Sequence, residues 1–345
     1  MNEVIHPFIE ALDNVMVFDN GALTFEKKSE AFEAIQAVSF EAISDEAKSV
    51  IHGQLLVDYD GINAAKASHS NNIFIQVPKD FKSEEKLYLF FTESGDTTRH
   101  IHINLGANAT LNVFEYFLDN EPGKKTILES VTAGAYSQLD IASLSNFDQA
   151  SNVTFNRQGF FKERSHAKMT IAAFGDESLS QATHLKLLGL QAEANLTAIS
   201  LTSGKQISTV KSTIEHNAME SVGELNHYGV ANDDSFLTFE GVGRIEQGKR
   251  LSKNHQHNKG VILSPTARLD ANPLLIIDEY DVEAGHGAAI GRIDEEQLYY
   301  MMSRGMNKKT AERLIVNGFL HPLDPYLTHD LFKTHVESLL IQKTK

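Results

Sequence analysis

Short runs that alternate hydrophobic and polar residues dominate the middle of the chain, from about Gly53 to Leu275. Clear examples are Ile101–Ile103, Leu111–Phe117, Phe236–Phe239 and Val261–Leu263. A period of two places successive side chains on opposite faces of an extended chain, so these runs predict β-strands. Clusters of turn-forming residues separate the runs, and no helical period lies between them. The pattern therefore predicts a long all-β region without helical crossovers.

Small residues lead into the predicted strands at recurring positions: Ala109, Ser137, Ala167, Ala194 and Ala267. Where they are adjacent, their spacing of roughly 20 to 30 residues is typical of solenoid coils. A sandwich or a barrel would also be all-β, but recurring small corners favour a stacked β-helix. A β-helix exposes an unpaired strand edge at each end of the stack, and we expect the helical ends of the chain to cap these edges.

The N-terminal residues 1–52 carry mixed signals and predict a mixed or helical cap. Within them, an amphipathic helix is expected to begin at Ser29 and to place Phe32, Ile35 and Val38 on one stripe. The β-helix core is then expected to occupy residues 53–293.

The hydrophobic period becomes helical after Ile293. Asp294 resembles the first residue of a capping box, so a helix should follow it and end before Gly305. Asn307 is the expected cap of a second helix, with a left-handed ending at Asn317 and Gly318, and a final amphipathic helix includes Phe332 and Leu339. Residues 294–345 are thus predicted to form a C-terminal helical module.

Charge and composition narrow the possible functions. Lys and Arg total 31 against 46 Asp and Glu, which gives a net charge of −15 in 345 residues. Nucleic acid and anionic membranes are therefore poor partners. The first thirty residues lack a signal-peptide pattern and no apolar stretch is long enough to span a bilayer, so we expect a cytoplasmic protein.

The chain contains no cysteine. This excludes disulfides, thiolate metal sites, cysteine nucleophiles and cysteine-ligated clusters that the chain would hold alone. No catalytic constellation is evident either: Gly243–Arg250 resembles a phosphate loop only in spacing, because Arg250 replaces the hydroxyl residue that binds magnesium. We therefore expect a protein that is not an enzyme. A β-helix enzyme acting on polysaccharide is the main alternative, and a hexapeptide-repeat acyltransferase fits the period less well.

Two pairs of histidines have the spacing of metal ligands on a strand. His100 with His102, and His255 with His257, are each two residues apart and so share a face. Zinc sites need further ligands, and no such set is visible. Both pairs are interpreted as surface or partner-contact histidines.

The segment from Ser264 to Gly305 strongly resembles the C-terminal core of the SufB/SufD family. The residues that carry the resemblance are Leu269–Pro273, Asp281–Val282, His286–Gly287, Gly291, Asp294–Gln297 and Arg304–Gly305. Upstream the resemblance is weaker, and the N-terminal region looks shorter than is usual for the family.

This resemblance implies a right-handed parallel β-helix with helical ends, in a non-catalytic scaffold subunit of an iron-sulfur cluster assembly complex. It implies a SufB-like partner that pairs through the last coils, and a SufC-like ABC-type ATPase on the C-terminal helices. Because the chain has no cysteine, it resembles the SufD type. No cofactor is expected to stay bound to the chain alone, a cluster would be held transiently with the partner, and flavin binding and a homodimer of the isolated chain stay open.

The resemblance also assigns candidate residues. His286 matches the histidine that SufD-type chains contribute at the shared interface, and it would bind metal only together with cysteines of the partner. Glu283 is a possible second ligand or base. Without a functional role, both would be ordinary loop side chains. For the ATPase, the docking candidates are Tyr299, Tyr300, Met301, Arg304 and Gly305, and the alternative is a helix buried on both sides.

Overall fold

The structure is a computed structural model that describes residues 4–55, 72–319, 322 and 330–343. The helices are α1 (His6–Ala11), α2 (Asp45–Gln54), α3 (Glu295–Ser303), α4 (Lys308–Phe319) and α5 (Asp330–Lys343), with 3-10 turns at Glu30–Phe32 and Phe40–Ala42. The strands are β1 (Val15–Asp19), β2 (Ala22–Lys27), β3 (Gln36–Ser39), β4 (Ile73–Val77), β5 (Lys82–Glu93), β6 (Thr97–Leu105), β7 (Thr110–Asp119), β8 (Lys124–Ala133), β9 (Gln138–Phe147), β10 (Asn152–Phe161), β11 (His166–Gly175), β12 (Leu179–Leu187), β13 (Glu193–Thr202), β14 (Ile207–His216), β15 (Val222–Ala231), β16 (Phe236–Ile245), β17 (Lys253–Ile262), β18 (Arg268–Ile277) and β19 (Glu283–Arg292).

The strands form two sheets that face each other across a lumen. Sheet A has the order β19-β17-β15-β13-β11-β9-β7-β5-β1-β2, and sheet B has the order β18-β16-β14-β12-β10-β8-β6-β4-β3. From β4 to β19, consecutive strands alternate between the sheets and pair in parallel with the coils before and after. The result is a parallel β-solenoid of about 8 turns, which confirms the predicted β-helix core with helical ends.

Lumen-facing residues of successive coils stack in register. Leu111 pairs with Leu139, which pairs with Ala167, each step spanning 28 residues. The same stack continues to Ala194. Because paired positions in a parallel sheet point to the same face, a residue that is apolar in one coil must pack against its counterpart in the next.

The corners between coils show why small residues recur there. Asn108 and Tyr136 turn the chain with φ of 55° and 62°, in the left-handed region. The amide of Asn108 donates to the carbonyl of Ala135 (2.8 Å), which ties one coil to the next. Ala109 and Ser137, the residues that follow, are fully buried inside the corner. A larger side chain would not fit there, so the predicted small-residue corners are confirmed.

The N-terminal end of the solenoid is closed by antiparallel pairs. β2 pairs with β1 in sheet A, and β3 pairs with β4 in sheet B. The helix predicted from Ser29 is wrong: a single 3-10 turn places Phe32 and Ile35 in the core, and the chain then extends into β3. Pairing with the free edge of β4 satisfies the backbone of β3, and this outweighs the helical stripe. The N-terminal segment thus adds strands to both sheets, while the boundary at residue 53 stays a prediction.

The helical ends of the chain meet on the outer face of sheet A. The ring of Phe332 in α5 lies 4.4 Å from that of Phe8 in α1 and 4.2 Å from that of Phe114 in β7. The expectation that helices cap both edges of the stack is therefore wrong at the C-terminal end, where β19 has no strand or helix over it among the described residues.

None of the helices in the described part of the chain is long and apolar enough to cross a membrane.

The caps of the helical module follow the sequence. Asp294 accepts a hydrogen bond from the amide of Glu296 (2.8 Å) at the start of α3, and Gly305 ends it with a φ of 94°. Asn307 accepts from the amide of Thr310 (2.9 Å) before α4. The ending predicted at Asn317 is wrong, because α4 continues to Phe319.

Candidate functional site

The candidate site lies at the open end of the solenoid, on the terminal strand β19. His286 is part of this strand and not of a loop, so the loop assignment was wrong. Residues 286 to 292 are all exposed, since no further coil among the described residues covers them. This end of the molecule therefore presents His286 to whatever approaches along the solenoid axis.

The strand register fixes which way His286 faces. It pairs with Gln256 of β17, which is fully buried in the lumen. Paired residues of parallel strands share a face, so His286 occupies the lumen side of the last coil. Gly285 and Gly287 stand on the outer side, and a Cβ at Gly287 would meet no atom within 4 Å. The backbone around the histidine is thus accessible from outside.

Glu283 stands on the outer side of β19, opposite to His286. Its carboxylate lies 3.0 Å from Lys253 Nζ and 3.2 Å from His255 Nε2. The hydrogen bond from Lys253 and its charge lower the pKa of the Glu283 carboxyl. The structure therefore engages Glu283 in an exposed ion pair and does not bring it together with His286.

The two histidine pairs have different environments. His255 and His257 lie on the exposed outer face of β17, as expected for surface residues. His100 and His102 do not: both are buried, and both contact Ser130 Oγ at 2.7 Å. Burial lowers the pKa of His102 to about 3, so that ring is neutral. No group of three metal-ligating side chains occurs among the residues that the structure describes.

The lumen beneath His286 is polar, which the sequence analysis did not predict. Three lumen positions of β17 hold Asn254, Gln256 and Asn258, with exposures of 0%, 0% and 2%. The first seven residues of Lys253–Ile262 are all polar, so a period of two is invisible there and the buried amides could not be told from exposed ones.

A second buried polar cluster lies in the middle of the solenoid. Arg157 Nε donates to Glu129 Oε2 (3.0 Å), and Arg157 Nη2 donates to Ser143 Oγ (2.8 Å). Burial, and next the charge of Glu129, raise the pKa of Glu115 well above its usual range. These carboxylates are enclosed in the lumen, and a polysaccharide chain has no access to them.

The exposed face of the helical module is on α3, which buries none of its residues. Tyr299 is 76% exposed and Tyr300 is 59% exposed. The guanidinium of Arg304 lies 5.3 Å from the ring centre of Tyr300, and its Nη2 donates to the Tyr300 hydroxyl (3.2 Å). The alternative of a helix buried on both sides is wrong, and the two tyrosines form an exposed aromatic surface with Arg304 beside Tyr300.

Comparisons with known proteins match the chain to a family model and to known relatives. The family model described as "SUF system FeS cluster assembly, SufBD core domain" matches residues 90–319. The iron-sulfur cluster assembly protein SufD of Bacillus subtilis (strain 168) is 30% identical over 297 residues, which cover 84% of this chain and 68% of that protein. SufD of Escherichia coli (strain K12) is 24% identical over 247 residues, covering 71% of this chain and 58% of the relative.

Proposed function

Because this chain belongs to the SufBD family, as a SufD-type protein of the SUF iron-sulfur cluster assembly system, we propose that it is a non-catalytic scaffold subunit. It would pair with a cysteine-bearing SufB-like paralogue and dock a SufC-like ABC-type ATPase. The observation that carries the proposal is the position of His286, exposed on an uncapped strand of a chain that has no cysteine. The thiolates of a cluster would have to come from the other side of an interface at this end.

The open edge of β19 supports pairing with another strand. The amide of Glu283 donates to the carbonyl of Ser252 (3.1 Å), so the backbone groups of Glu283 face β17. Alternate residues of a strand direct their backbone groups to opposite sides. Ala284, His286 and Ala288 therefore present N–H and C=O groups to the open edge, where a strand of a partner can bind them.

The neighbouring edge of β18 is interrupted. The amide of Arg268 donates to the carbonyl of Ser235 (2.9 Å), the residue before β16, and by alternation Pro273 occupies an edge-facing position. Proline has no N–H to donate. Of the two terminal strands, β19 is thus the one suited to continuous pairing, and it is also the one that holds His286.

His286 suits a role in cluster assembly. A neutral imidazole is a ligand for iron and can replace cysteine on an iron-sulfur cluster. Its ring makes no hydrogen bond or ion pair with the described residues, so it is not committed to a structural role. The cluster is the cargo here, held jointly and transiently with partner cysteines.

The aromatic surface of α3 is the proposed docking site of the ATPase. Tyrosine with arginine is a side-chain combination enriched at protein interfaces. The chain itself offers no nucleotide site in the Gly243–Arg250 segment, since Gly243 lies within strand β16 and no helix follows the loop among the described residues. ATP hydrolysis would therefore be supplied by the docked partner.

The proposal is tested by expressing this chain with its paralogue and ATPase, and comparing His286→Ala with His257→Ala. His257 is an exposed histidine on the neighbouring strand, but on the outer face. We expect His286→Ala complexes to assemble and to fail in maturing iron-sulfur enzymes in cells, while His257→Ala complexes mature them normally. Maturation by His286→Ala at the unmutated level would overturn the role of His286.

Strand pairing has its own test in two proline variants. Ala288→Pro removes an edge-facing amide of β19, and Ala271→Pro removes an edge-facing amide of β18. The first should weaken binding of the paralogue by about fivefold or more, because an interface hydrogen bond is lost, and the second should change it little. Equal effects of the two substitutions in a titration of purified subunits would contradict pairing through β19.

A further inference from the structure

The amide side chains under the last coil are unusual for the interior of a solenoid. Two coils earlier in sheet A, the same lumen positions hold Ala194, Leu196 and Ala198, whereas β17 holds Asn254, Gln256 and Asn258. Burying carboxamides is unfavourable unless their polar atoms are paired. Three of them in a row, directly beneath an exposed histidine, indicate a function beyond packing.

The two outer amides are held by buried histidines. Asn254 Nδ2 donates to His216 Nε2 (3.0 Å). Asn258 Oδ1 lies 2.8 Å from His227 Nδ1, which donates to it. Each histidine fixes one end of its amide, while Asn254 Oδ1 and Asn258 Nδ2 find no partner among the described residues. The row is therefore oriented but has unused hydrogen-bonding capacity.

Gln256, in the centre, crosses the lumen from sheet A to sheet B. Its Nε2 donates to the carbonyl of Leu274 (3.0 Å), and its Oε1 has no partner within the described part of the chain. A Cβ at Gly241 would lie 2.6 Å from that Oε1, so only glycine leaves room for the carboxamide. The sequence thus provides space for a buried amide that is only half satisfied.

His286 is the next side chain above this amide. It pairs with Gln256 in the parallel register, and Ala284 and Ala288 flank it above the two outer amides. Adjacent strands are about 4.8 Å apart, so imidazole and carboxamide stand within side-chain reach. The small alanines leave the Gln256 carboxamide as the central polar group beneath the ring.

We propose that Gln256 is a positioning residue for His286. In the structure the carboxamide oxygen of Gln256 lies toward Gly241 and has no partner among the described residues. A rotation of the Gln256 side chain brings it to one ring nitrogen of His286, which then donates to it. This hydrogen bond fixes the tautomer and leaves the lone pair of the other nitrogen directed to the partner. Ligating histidines commonly have their second nitrogen held in this way. The purpose of this arrangement rests on the proposed function, whereas the contact itself does not.

The contact is tested by nitrogen NMR of the full chain labelled in its histidines. We compare Gln256→Leu with Gln181→Leu, which removes another buried lumen amide, 4% exposed, from strand β12. The His286 ring should show one dominant tautomer in the unmutated chain and in Gln181→Leu, and a mixture in Gln256→Leu. An unchanged tautomer ratio in Gln256→Leu overturns the proposal.

If Gln256→Leu does not fold, the tautomer ratio of His286 is measured in Gly241→Ala instead. The added methyl group displaces the Gln256 carboxamide without removing it. The same loss of a single tautomer supports the proposal, and its persistence overturns it. In complexes with the partners, Gln256→Leu should reduce maturation about 10- to 100-fold. Normal maturation by His286→Ala would refute the proposed function while leaving the tautomer result in place, so the two failures are distinguishable.

Discussion

The two ends of the solenoid are built on opposite plans. At the N-terminal end, β1, β2 and β3 cover the first coils, and the rings of Phe91 and Phe117 stack at 4.6 Å in the lumen. At the C-terminal end, none of the described residues forms a strand or helix over β19, and the lumen is lined by amides and histidines. The first end terminates a solenoid, and the second leaves it ready to be continued by another chain.

The two ends of the solenoid are therefore expected to have different roles: the closed end stabilises the fold, and the open end serves function. Aromatic stacking at the closed end adds to the apolar burial that holds the coils together. The open end has polar groups in the lumen in place of such apolar burial. Substitutions at the closed end should therefore affect folding, and substitutions at the open end should affect assembly.

The largest expected effect is at the closed end. Phe117→Ala removes a fully buried ring that also packs against Phe155 at 4.8 Å. We expect a loss of about 3–5 kcal/mol in the free energy of unfolding, from lost burial and the cavity left behind. Ile290→Ala, at a 37% exposed position of β19, is the control and should cost less than about 1 kcal/mol. Denaturant titration of both variants measures these changes. Similar losses in the free energy of unfolding would contradict the proposed difference between the two ends.

The next largest effect should come from acid, which should lower the free energy of unfolding through a buried histidine at the polar end. Burial lowers the pKa of His227 to about 4 from an ordinary value of 6.5. Below pH 6.5 the unfolded chain binds a proton that the folded chain does not take up until about pH 4, so stability present at neutral pH declines as the pH falls through this window. Between pH 7 and pH 5 this histidine should account for a loss of about 2 kcal/mol.

His227→Asn isolates that contribution. The variant should lose about 2 kcal/mol less than the unmutated chain on going from pH 7 to pH 5, whatever its stability at pH 7. Unfolding by denaturant at the two pH values measures the difference. Equal losses in both chains would show that His227 does not titrate as its burial requires.

Glu115, between the two ends, should change stability with pH in the opposite direction. Its pKa is raised by burial, so above 4.5 the unfolded chain releases a proton that the folded chain retains. Stability is then complete at low pH and declines as the pH rises toward the raised pKa. Gln at this position does not titrate, so between pH 5 and pH 8 we expect the free energy of unfolding of Glu115→Gln to rise relative to that of the unmutated chain. A constant difference across that range would contradict the raised pKa.

Much of this architecture could be predicted from the sequence because its cause is local. The period of two, the small residues at corners such as Ala109, and the cap at Asp294 each depend on neighbours a few residues away. Those features are present in the structure. The β3 strand could not be predicted, since its extended form depends on the free edge of β4, which is distant in sequence.

The candidate site shows the same limit. His100 and His102 were expected at the surface, yet they are buried with Ser130 of the next coil, 28 to 30 residues away. The glycines and alanines around His286 suggested a loop. A terminal strand can have such a sequence, because no following coil packs against it and it needs no bulky apolar residues. The burial of the β17 amides could not be predicted, because it depends on the neighbouring coils and not on the sequence of the strand alone.

The smallest effect on stability should come from α3. Tyr299 is exposed and α3 has no buried residue, so Tyr299→Ala should change the free energy of unfolding by less than about 0.5 kcal/mol. The same substitution should weaken co-purification of the ATPase markedly, as an aromatic anchor at an interface typically carries about 2 kcal/mol or more. Tyr280→Ala is the matched control, because Tyr280 is a fully exposed tyrosine at the corner before β19. If ATPase binding survives in Tyr299→Ala as well as in Tyr280→Ala, the docking surface lies elsewhere, and the open end would be the only partner surface that the comparison supports.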